Sequence, residues 1–266
     1  MAKLFCKIFL FLRQIKFKHL NNYMKKILIF FTFFIAVSAL KAQNVQLHYD
    51  LGKDRKYLTS TVEMFKPDKW GSTFFFIDMD YGTGGTTGVQ GPQLGYFEIA
   101  RGLKFWKCPF EVHVEYNGGF GQTKSADVNG VPQSNNAYPI NDAWLFGGNY
   151  TWNTADYSKI FTLQAMYKNI RGKNDMSFQI TGVWTVQMFK NKLTFDGFAD
   201  FWREDNNFFL NAPLGTETNF VFLTEPQLWF NCTKNFSVGS EVEIASNFAL
   251  HKGVKVCPTI AAKWNF

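Results

Sequence analysis

Carboxylates and aromatic rings alternate with other residues in several short segments of this sequence. Aromatic rings can stack against a flat solute, and carboxylates can accept hydrogen bonds from hydroxyl or amino groups. In a β-strand, alternate side chains share one face. Strand conformation would therefore place these candidate solute-binding residues on inner, polar faces: Phe74, Phe76, Asp78, Asp80, Glu98, Glu111, His113, Glu115, Asp196, Phe198, Asp200 and Trp202.

His113 stands between Glu111 and Glu115, with one residue on each side, and this spacing raises the question of a metal or catalytic site. Alternate residues on one strand face lie about 7 Å apart, so a single metal would need ligands from neighbouring strands. The sequence contains no G-x-S-x-G motif and no credible Ser/His pairing. We therefore predict no enzyme activity, no metal site and no cofactor.

The elements that would position these residues are strands with a period of two. The segment 110–117 alternates apolar and polar residues without exception. The segment 176–188 does the same over more than ten residues, with Val183 as the one exception on its polar face. Similar but less regular strands are predicted at 45–51, 57–65, 73–81, 93–103, 140–152, 160–168, 193–203, 219–232, 236–247 and 254–266.

Short turns are predicted at 53–55, 66–68, 190–191 and 234–235, and longer loops rich in Gly, Asn, Ser and Thr at 82–91, 122–139 and 204–217. About twelve strands of this length, with short turns alternating with longer loops, are typical of outer-membrane barrels. The predicted fold is all-β: a transmembrane antiparallel up-and-down β-barrel of about 12 strands.

Composition distinguishes this barrel from soluble β-sandwiches and lipocalin-like barrels, whose strands also alternate apolar and polar residues. Aromatic residues make up 18% of the chain, with 31 Phe, while the mean hydropathy is only −0.15. Such an aromatic load does not suit a water-facing exterior. The predicted inner face is also too acidic for a dry core. Lipid outside and water inside would accommodate both, with aromatic girdles at Trp70, Trp106, Trp144, Trp184 and Trp264.

Residues 1–42 form a basic leader, and residues 43–266 form the predicted barrel domain. Lys25 and Lys26 precede the apolar run 27–39, and cleavage is expected near Ala42, as in a secretory signal peptide spanning 24–42. Residues 1–23 represent either a mis-assigned start before Met24 or a long leader. The segment 24–42 is too short and wrongly flanked for a permanent membrane helix.

The net charge of +7 belongs to this leader, which holds eight Lys/Arg and no acid. The remaining residues carry 20 basic and 21 acidic side chains, so no nucleic-acid partner is expected. Cys108, Cys232 and Cys257 are widely spaced and odd in number. At most one disulfide could form, and three small, semi-apolar side chains are the simpler interpretation.

The stretch from Thr61 to Asp80, TVEMFKPDKWGSTFFFIDMD, resembles the early strands of the Tsx family of nucleoside-specific outer-membrane channels. It is also similar to an uncharacterised group of Bacteroidetes outer-membrane proteins distantly related to Tsx. A final strand ending in Phe266 resembles the C-terminal signal of outer-membrane proteins. The resemblance implies a nucleoside channel in the outer membrane, inserted by the barrel assembly machinery through Phe266.

Three functions remain open at this point. The first is passive diffusion of small hydrophilic solutes, nucleosides among them, through a monomeric barrel surrounded by outer-membrane lipid and lipopolysaccharide. A predominantly acidic wall would disfavour anions and suit neutral or cationic solutes. The second is a non-conducting structural or adhesin-type barrel. The third is an outer-membrane lipid-modifying enzyme, which would need catalytic residues clustered at one rim.

Overall fold

The computed structural model describes residues 43–84, 88–128, 131, 134–173, 177–208 and 216–266. The predicted leader, with its signal peptide at 24–42, lies outside these residues. Across the described ranges, no helix is long and apolar enough to cross a membrane. The strands there are β1 (Gln43–Asp50), β2 (Leu58–Asp68), β3 (Gly71–Thr83), β4 (Gln90–Leu103), β5 (Phe110–Thr123), β6 (Asn136–Asn153), β7 (Lys159–Ile170), β8 (Ser177–Met188), β9 (Leu193–Phe208), β10 (Thr216–Thr224), β11 (Gln227–Asn231), β12 (Phe236–Ser246) and β13 (Val254–Asn265).

The strands form one closed antiparallel sheet. Each strand from β1 to β9 pairs with the next strand in the chain, and β13 returns to pair with β1 through contacts such as Leu47 with Ala262. The β10 and β11 segments both lie between β9 and β12, so they share one position in the wall. The structure is thus a 12-stranded up-and-down barrel, which confirms the predicted fold class.

The predicted continuous strand 219–232 is wrong in one respect, because it is interrupted at Glu225 and Pro226. Proline has no backbone N–H to give to the ladder. The chain stays in the wall because Glu225 N donates to Phe198 O and Val242 N donates to Pro226 O. Gly197 lies opposite with a φ of 145°, and a Cβ there would collide with the Glu225 carbonyl oxygen. The break therefore depends on a glycine across the strand pair.

Alternation sets the two faces of the wall as predicted. On β5, His113, Glu115 and Asn117 are buried in the interior, while Phe110 on the opposite face is 37% exposed. Outward side chains are large and apolar, as the lipid-facing band of a membrane barrel requires. Exposed apolar side chains on strands include Ile77, Ile99, Phe146, Val256, Ile260, Trp144 and Trp264. Trp70 and Trp106 lie in turns and are also exposed.

Several strands extend further than their sequences predict. The predicted loop 122–139 is shortened because Gln122 pairs with Ala137, and Val128 forms an isolated bridge with Val131. The predicted loop 204–217 is shortened because β9 continues to Phe208. Polar, Gly-rich residues were assigned to loops because of their composition. Backbone pairing does not require apolar side chains, so strands can continue beyond the lipid band.

Short turns and long connections lie at opposite ends of the barrel. The end with β1's first residue has tight turns such as 189–192, where Phe189, Lys190 and Asn191 all have positive φ. The predicted turn 66–68 is wrong by a few residues, because Pro67 still pairs with Ser72. At the other end lie the connections that follow β3, β5, β7 and β9. Short turns are typical of the periplasmic end of such barrels.

Candidate functional site

The twelve candidate residues all belong to the inward-facing set of the wall. Cross-strand pairing carries the inward face from one strand to the next, because directly paired residues share a face. Phe76 pairs with Glu98, which pairs with Asn117. In the same way, Thr181 pairs with Asp200. The predicted orientation is therefore found at each position, whereas ligand binding by these residues stays a prediction.

Three inward aspartates are held by threonines directly opposite them on the neighbouring strand. Thr59 Oγ1 donates to Asp80 Oδ1 at 2.6 Å, and Thr61 Oγ1 donates to Asp78 Oδ1 at 2.5 Å. Thr181 Oγ1 repeats the arrangement on Asp200 Oδ1 at 2.5 Å. A neutral hydroxyl satisfies a carboxylate lone pair without neutralising its charge. These contacts hold the three aspartates in place on the inward face.

Glutamates on β4 and β5 also have neutral or weakly basic partners. Glu98 accepts from the Tyr96 hydroxyl at 2.7 Å, and Glu111 accepts from Ser72 Oγ at 2.7 Å. Glu115 Oε2 lies 2.9 Å from His113 Nε2. At these positions the inward acids therefore contact hydroxyl and imidazole groups rather than Lys or Arg.

The buried His113 forms a short chain of polar contacts with its neighbours. Its Nδ1 lies 3.3 Å from Asn149 Nδ2, and its Nε2 lies 2.9 Å from Glu115. Asn149 Oδ1 is buried without a partner among the described residues. In those residues no group of three or more His, Cys, Asp and Glu side chains is arranged to hold a metal ion. The arrangement is thus a hydrogen-bonded wall cluster.

Aromatic side chains form a second inward group near the end with short turns. The rings of Phe74 and Phe76 have centroids 6.0 Å apart, and Phe76 lies 5.9 Å from Tyr96. Their tilted geometry is favourable for aromatic pairs. Phe198 lies across β9, paired with Val183. Phe74 and Phe76 are half-buried and keep part of their surface toward the interior.

Trp202 is more enclosed than its sequence pattern indicates. The side chain is 5% exposed, and Lys168 Nζ lies 4.2 Å from its ring centroid. The indole N–H donates to Glu204 Oε2 at 2.9 Å. One face of the ring is therefore already occupied by the chain's own ammonium group.

A similar contact, which the sequence analysis did not identify, involves Lys263 and Trp229. Lys263 Nζ lies 4.1 Å from the Trp229 ring centroid and 3.5 Å from Asp196 Oδ2. Trp229 is fully buried. The inward positions of Lys263 and Asp196 follow from alternation on β13 and β9. Their contact, in contrast, needs the wall to curve, because strands β11 and β12 lie between them.

The mouth of the barrel at the long-loop end contains an ion-pair cluster. Arg55, in the connection between β1 and β2, contacts Glu243 Oε1 at 2.6 Å and Asp50 Oδ2 at 3.1 Å. Burial lowers the pKa of the Arg55 guanidinium, but the Glu243 carboxylate together with smaller contributions from Tyr57 and Cys257 raises this pKa above its ordinary value. A small cavity of about 20 Å³ lies beside this pair and is also lined by Phe248 and Lys255.

Side chains fill much of the barrel interior. Gln46, His48 and Ser237 are each no more than 3% exposed, although all three face inward. His48 on β1 contacts Thr259 Oγ1 at 3.2 Å and Gln46 Oε1 at 2.9 Å. The alternation within 45–51 already placed Gln46 and His48 on the polar face. Their burial follows from the narrow barrel.

The contact between Thr259 on β13 and His48 on β1 is enclosed. Thr259 Oγ1 accepts from Glu241 N at 3.1 Å while it contacts His48, and Thr259 is 6% exposed. The three cysteines, Cys108, Cys232 and Cys257, are all free.

Solved structures with a similar fold are outer-membrane porins. The NanC porin matches with a TM-score of 0.52 at 10% identity, over 85% of this chain and 100% of that chain. The KdgM porin matches with a TM-score of 0.46 at 10% identity, over 85% and 99%. Omp33 of Acinetobacter baumannii matches with a TM-score of 0.42 at 12% identity, over 85% and 98%. At this identity the NanC match shows the fold alone.

Comparison of the sequence with curated proteins finds no match. A family model described as "Domain of unknown function (DUF5020)" matches residues 42–266, the whole of the barrel. The chain therefore belongs to the DUF5020 family.

Proposed function

We propose that the barrel lies in the bacterial outer membrane and passes small hydrophilic solutes through a narrow interior. The observation that carries this proposal is the inward face itself, where polar and charged side chains run along every strand of a transmembrane wall. A structural element in lipid needs an apolar exterior, but it does not need an acidic interior. A wall lined by hydrogen-bonded carboxylates can instead replace the water contacts that a solute loses when it enters the barrel.

Nucleosides are the specific solutes that we propose. Phe74 and Phe76 keep exposed ring surface on which a base can stack, and Asp78 and Asp80 lie farther along the same strand face. Each aspartate uses one oxygen for its threonine partner. Its remaining lone pairs are suited to accept ribose hydroxyls. The resemblance of 61–80 to Tsx channels supports the same class of solute.

Single-channel conductance in planar bilayers tests this proposal. We expect a small conductance that added nucleosides block, and Phe76→Ala or Asp78→Asn should weaken that block. Ile77→Ala is the matched control, because this neighbour on β3 faces outward and is 46% exposed. Liposome swelling without nucleoside flux above that of a sealed barrel would contradict nucleoside transport.

A non-conducting structural barrel is the second candidate, and the packed interior favours it. Trp229, Leu145 and Gln46 are almost fully buried inside the wall, and the Lys263–Asp196 pair crosses part of the interior. This candidate predicts no conductance from protein whose heat-modifiable gel mobility shows that it is folded. The long connections would then be the functional part.

The proposed barrel is a monomer surrounded by lipid and lipopolysaccharide, with insertion assisted by the assembly machinery through Phe266. The continuous outward apolar surface supports direct contact with lipid all round the wall. Chemical crosslinking in native membranes tests the oligomeric state, and a discrete dimer or trimer band would contradict the monomer.

A further inference from the structure

Two inward lysines each lie over the face of an inward tryptophan. Lys168 Nζ is 4.2 Å from the centroid of Trp202, and Lys263 Nζ is 4.1 Å from that of Trp229. Both lysines are 8% exposed. An ammonium at this distance is attracted by the quadrupole of the ring, and the attraction grows when water is excluded. The interior therefore contains two sites built for a positively charged nitrogen.

Carboxylates complete each of these sites. Lys263 Nζ lies 3.5 Å from Asp196 Oδ2, and Glu63 on β2 is within electrostatic range. Lys168 Nζ donates a hydrogen bond to Gln179 Oε1 at 2.7 Å. The carboxyl groups of Glu204 and Asp200 are within electrostatic range of this ammonium group. An aromatic face with nearby carboxylates is the arrangement by which proteins recognise organic ammonium groups.

Acidic residues outnumber these cations along the described interior. Glu98 interacts electrostatically with Asp200 across the barrel, and Glu225 does so with Asp78. Several of these acids accept hydrogen bonds from neutral donors, as Asp78, Asp80, Asp200 and Glu98 do. The inward acids are Asp50, Glu63, Asp78, Asp80, Glu98, Glu111, Glu115, Asp196, Asp200, Glu204, Glu225, Glu241 and Glu243, and the bases that face inward or pair with these acids are Arg55, Lys168, Lys173, Lys255 and Lys263.

We propose that the Trp202 and Trp229 positions are binding sites for solutes carrying a primary or quaternary ammonium group, and that Lys168 and Lys263 are tethered occupants of those sites. The proposal rests on the channel function proposed above and names the charge class of its solute. An arriving ammonium would displace a lysine in a simple exchange of cations. The flexible four-carbon stem of lysine lets its head group move aside without any change in the wall.

Other ligand classes fit these sites less well. An anion would meet the carboxylates at close range in a narrow, poorly hydrated interior. A metal ion needs several oxygen or nitrogen ligands at once, and the part of the chain that the structure describes has no such group. A neutral sugar or base gains the aromatic contact without the attraction between opposite charges. An organic ammonium gains both the contact with the aromatic ring and the attraction to the carboxylates.

Binding of n-butylammonium to the folded full-length barrel, measured by calorimetry, tests the sites without relying on conduction. Removal of the tethered occupant in Lys263→Ala should tighten binding by about tenfold over wild type, because the alkylammonium replaces the lost side chain. Adding Trp229→Leu to Lys263→Ala should abolish the gain. The matched control is Lys69→Ala, since Lys69 lies 4.9 Å over Trp70 in an exposed turn. Equal binding by wild type and Lys263→Ala would overturn the proposal.

Reversal potentials across a salt gradient of about tenfold then separate this inference from the channel proposal. We expect wild type to select cations over chloride, and Lys168→Met with Lys263→Met to raise conductance while keeping that selectivity. Anion selectivity would overturn the ammonium sites and leave the channel standing. Butylammonium binding in a barrel that conducts nothing would support the sites and overturn the channel.

Discussion

Thr59 donates a 2.6 Å hydrogen bond to Asp80, the residue directly opposite it on the next strand. The same relationship joins Thr181 to Asp200 on the far side of the barrel. Each bond fixes a carboxyl group against the wall through a neutral hydroxyl donor. Cross-strand pairing thus does more than hold two strands together here, because it also orders the acidic surface of the interior.

Replacing Thr181 with Val tests the energetic weight of this bond. The substitution keeps the shape of the side chain but leaves Asp200 without its hydroxyl donor, so we expect a loss of about 1–3 kcal/mol in the free energy of unfolding. Urea unfolding of the refolded barrel, followed by tryptophan fluorescence, measures it. Thr185→Val is the matched control, since Asp196 opposite it is paired with Lys263. A loss as large in the control would contradict the interpretation.

Gly197→Ala tests the requirement for glycine opposite the strand break. A Cβ at this position would meet the Glu225 carbonyl oxygen, and the residue has a φ of 145°. We expect a loss of about 1–3 kcal/mol or failure to form the heat-modifiable folded band. Gly182→Ala on β8 is the control, because its nearest neighbour is Phe161 at an ordinary 3.7 Å. Full stability of Gly197→Ala would show that the wall relaxes there.

Arg55→Met tests the ion-pair cluster at the mouth. The change leaves the buried Asp50 and the partly buried Glu243 without their cation, so we expect a loss of about 3 kcal/mol in stability. Adding Glu243→Gln should recover part of the loss, which a double-mutant cycle in urea would reveal. For comparison, Arg171→Gln disrupts an ion pair in which Arg171 is 76% exposed, and should cost about 0.5 kcal/mol or less. Equal losses for the two arginines would argue against the cluster.

Asp156 makes the stabilisation of the short turn between β6 and β7 depend on pH. Hydrogen bonds from Thr154 and Ser158 lower the pKa of this exposed carboxyl from 3.8 to about 2. Because the folded-state pKa is depressed, the stabilisation is present above about pH 4 and is lost as the pH falls through about 2. Asp156→Asn should therefore lower the urea midpoint relative to wild type at neutral pH, and the difference should disappear near pH 1.5. Asp127→Asn, in another exposed loop, is the control.

The strands of the barrel could be predicted because each strand must carry apolar side chains on its lipid-facing side and polar side chains on its inner side. Alternation alone placed Glu111, His113 and Glu115 on one face, and the structure has them there. The predicted twelve strands follow from the same periodicity. A change of register by one residue would turn apolar side chains inward, so the pattern leaves little freedom.

The contacts inside the barrel could not be predicted in the same way. Lys263 and Asp196 are far apart in sequence and meet only because the wall curves, and no periodic signal encodes that curvature. The break at Pro226 was missed because the alternation continues on both sides of it. Strand ends at Thr123 and Phe208 were missed because pairing there involves polar residues.

Closure of the wall by β1 against β13 has a consequence for how the chain must fold. Every other strand pairs with a neighbour that is near in sequence, so hairpins can be added one after another at small entropic cost. The pairing of Asn44 with Asn265 joins the two ends of the barrel and must come last. Until that pairing forms, the unpaired backbone groups of β1 and β13 are open edges that any other strand could join. The seam is thus the step at which productive assembly and aggregation compete.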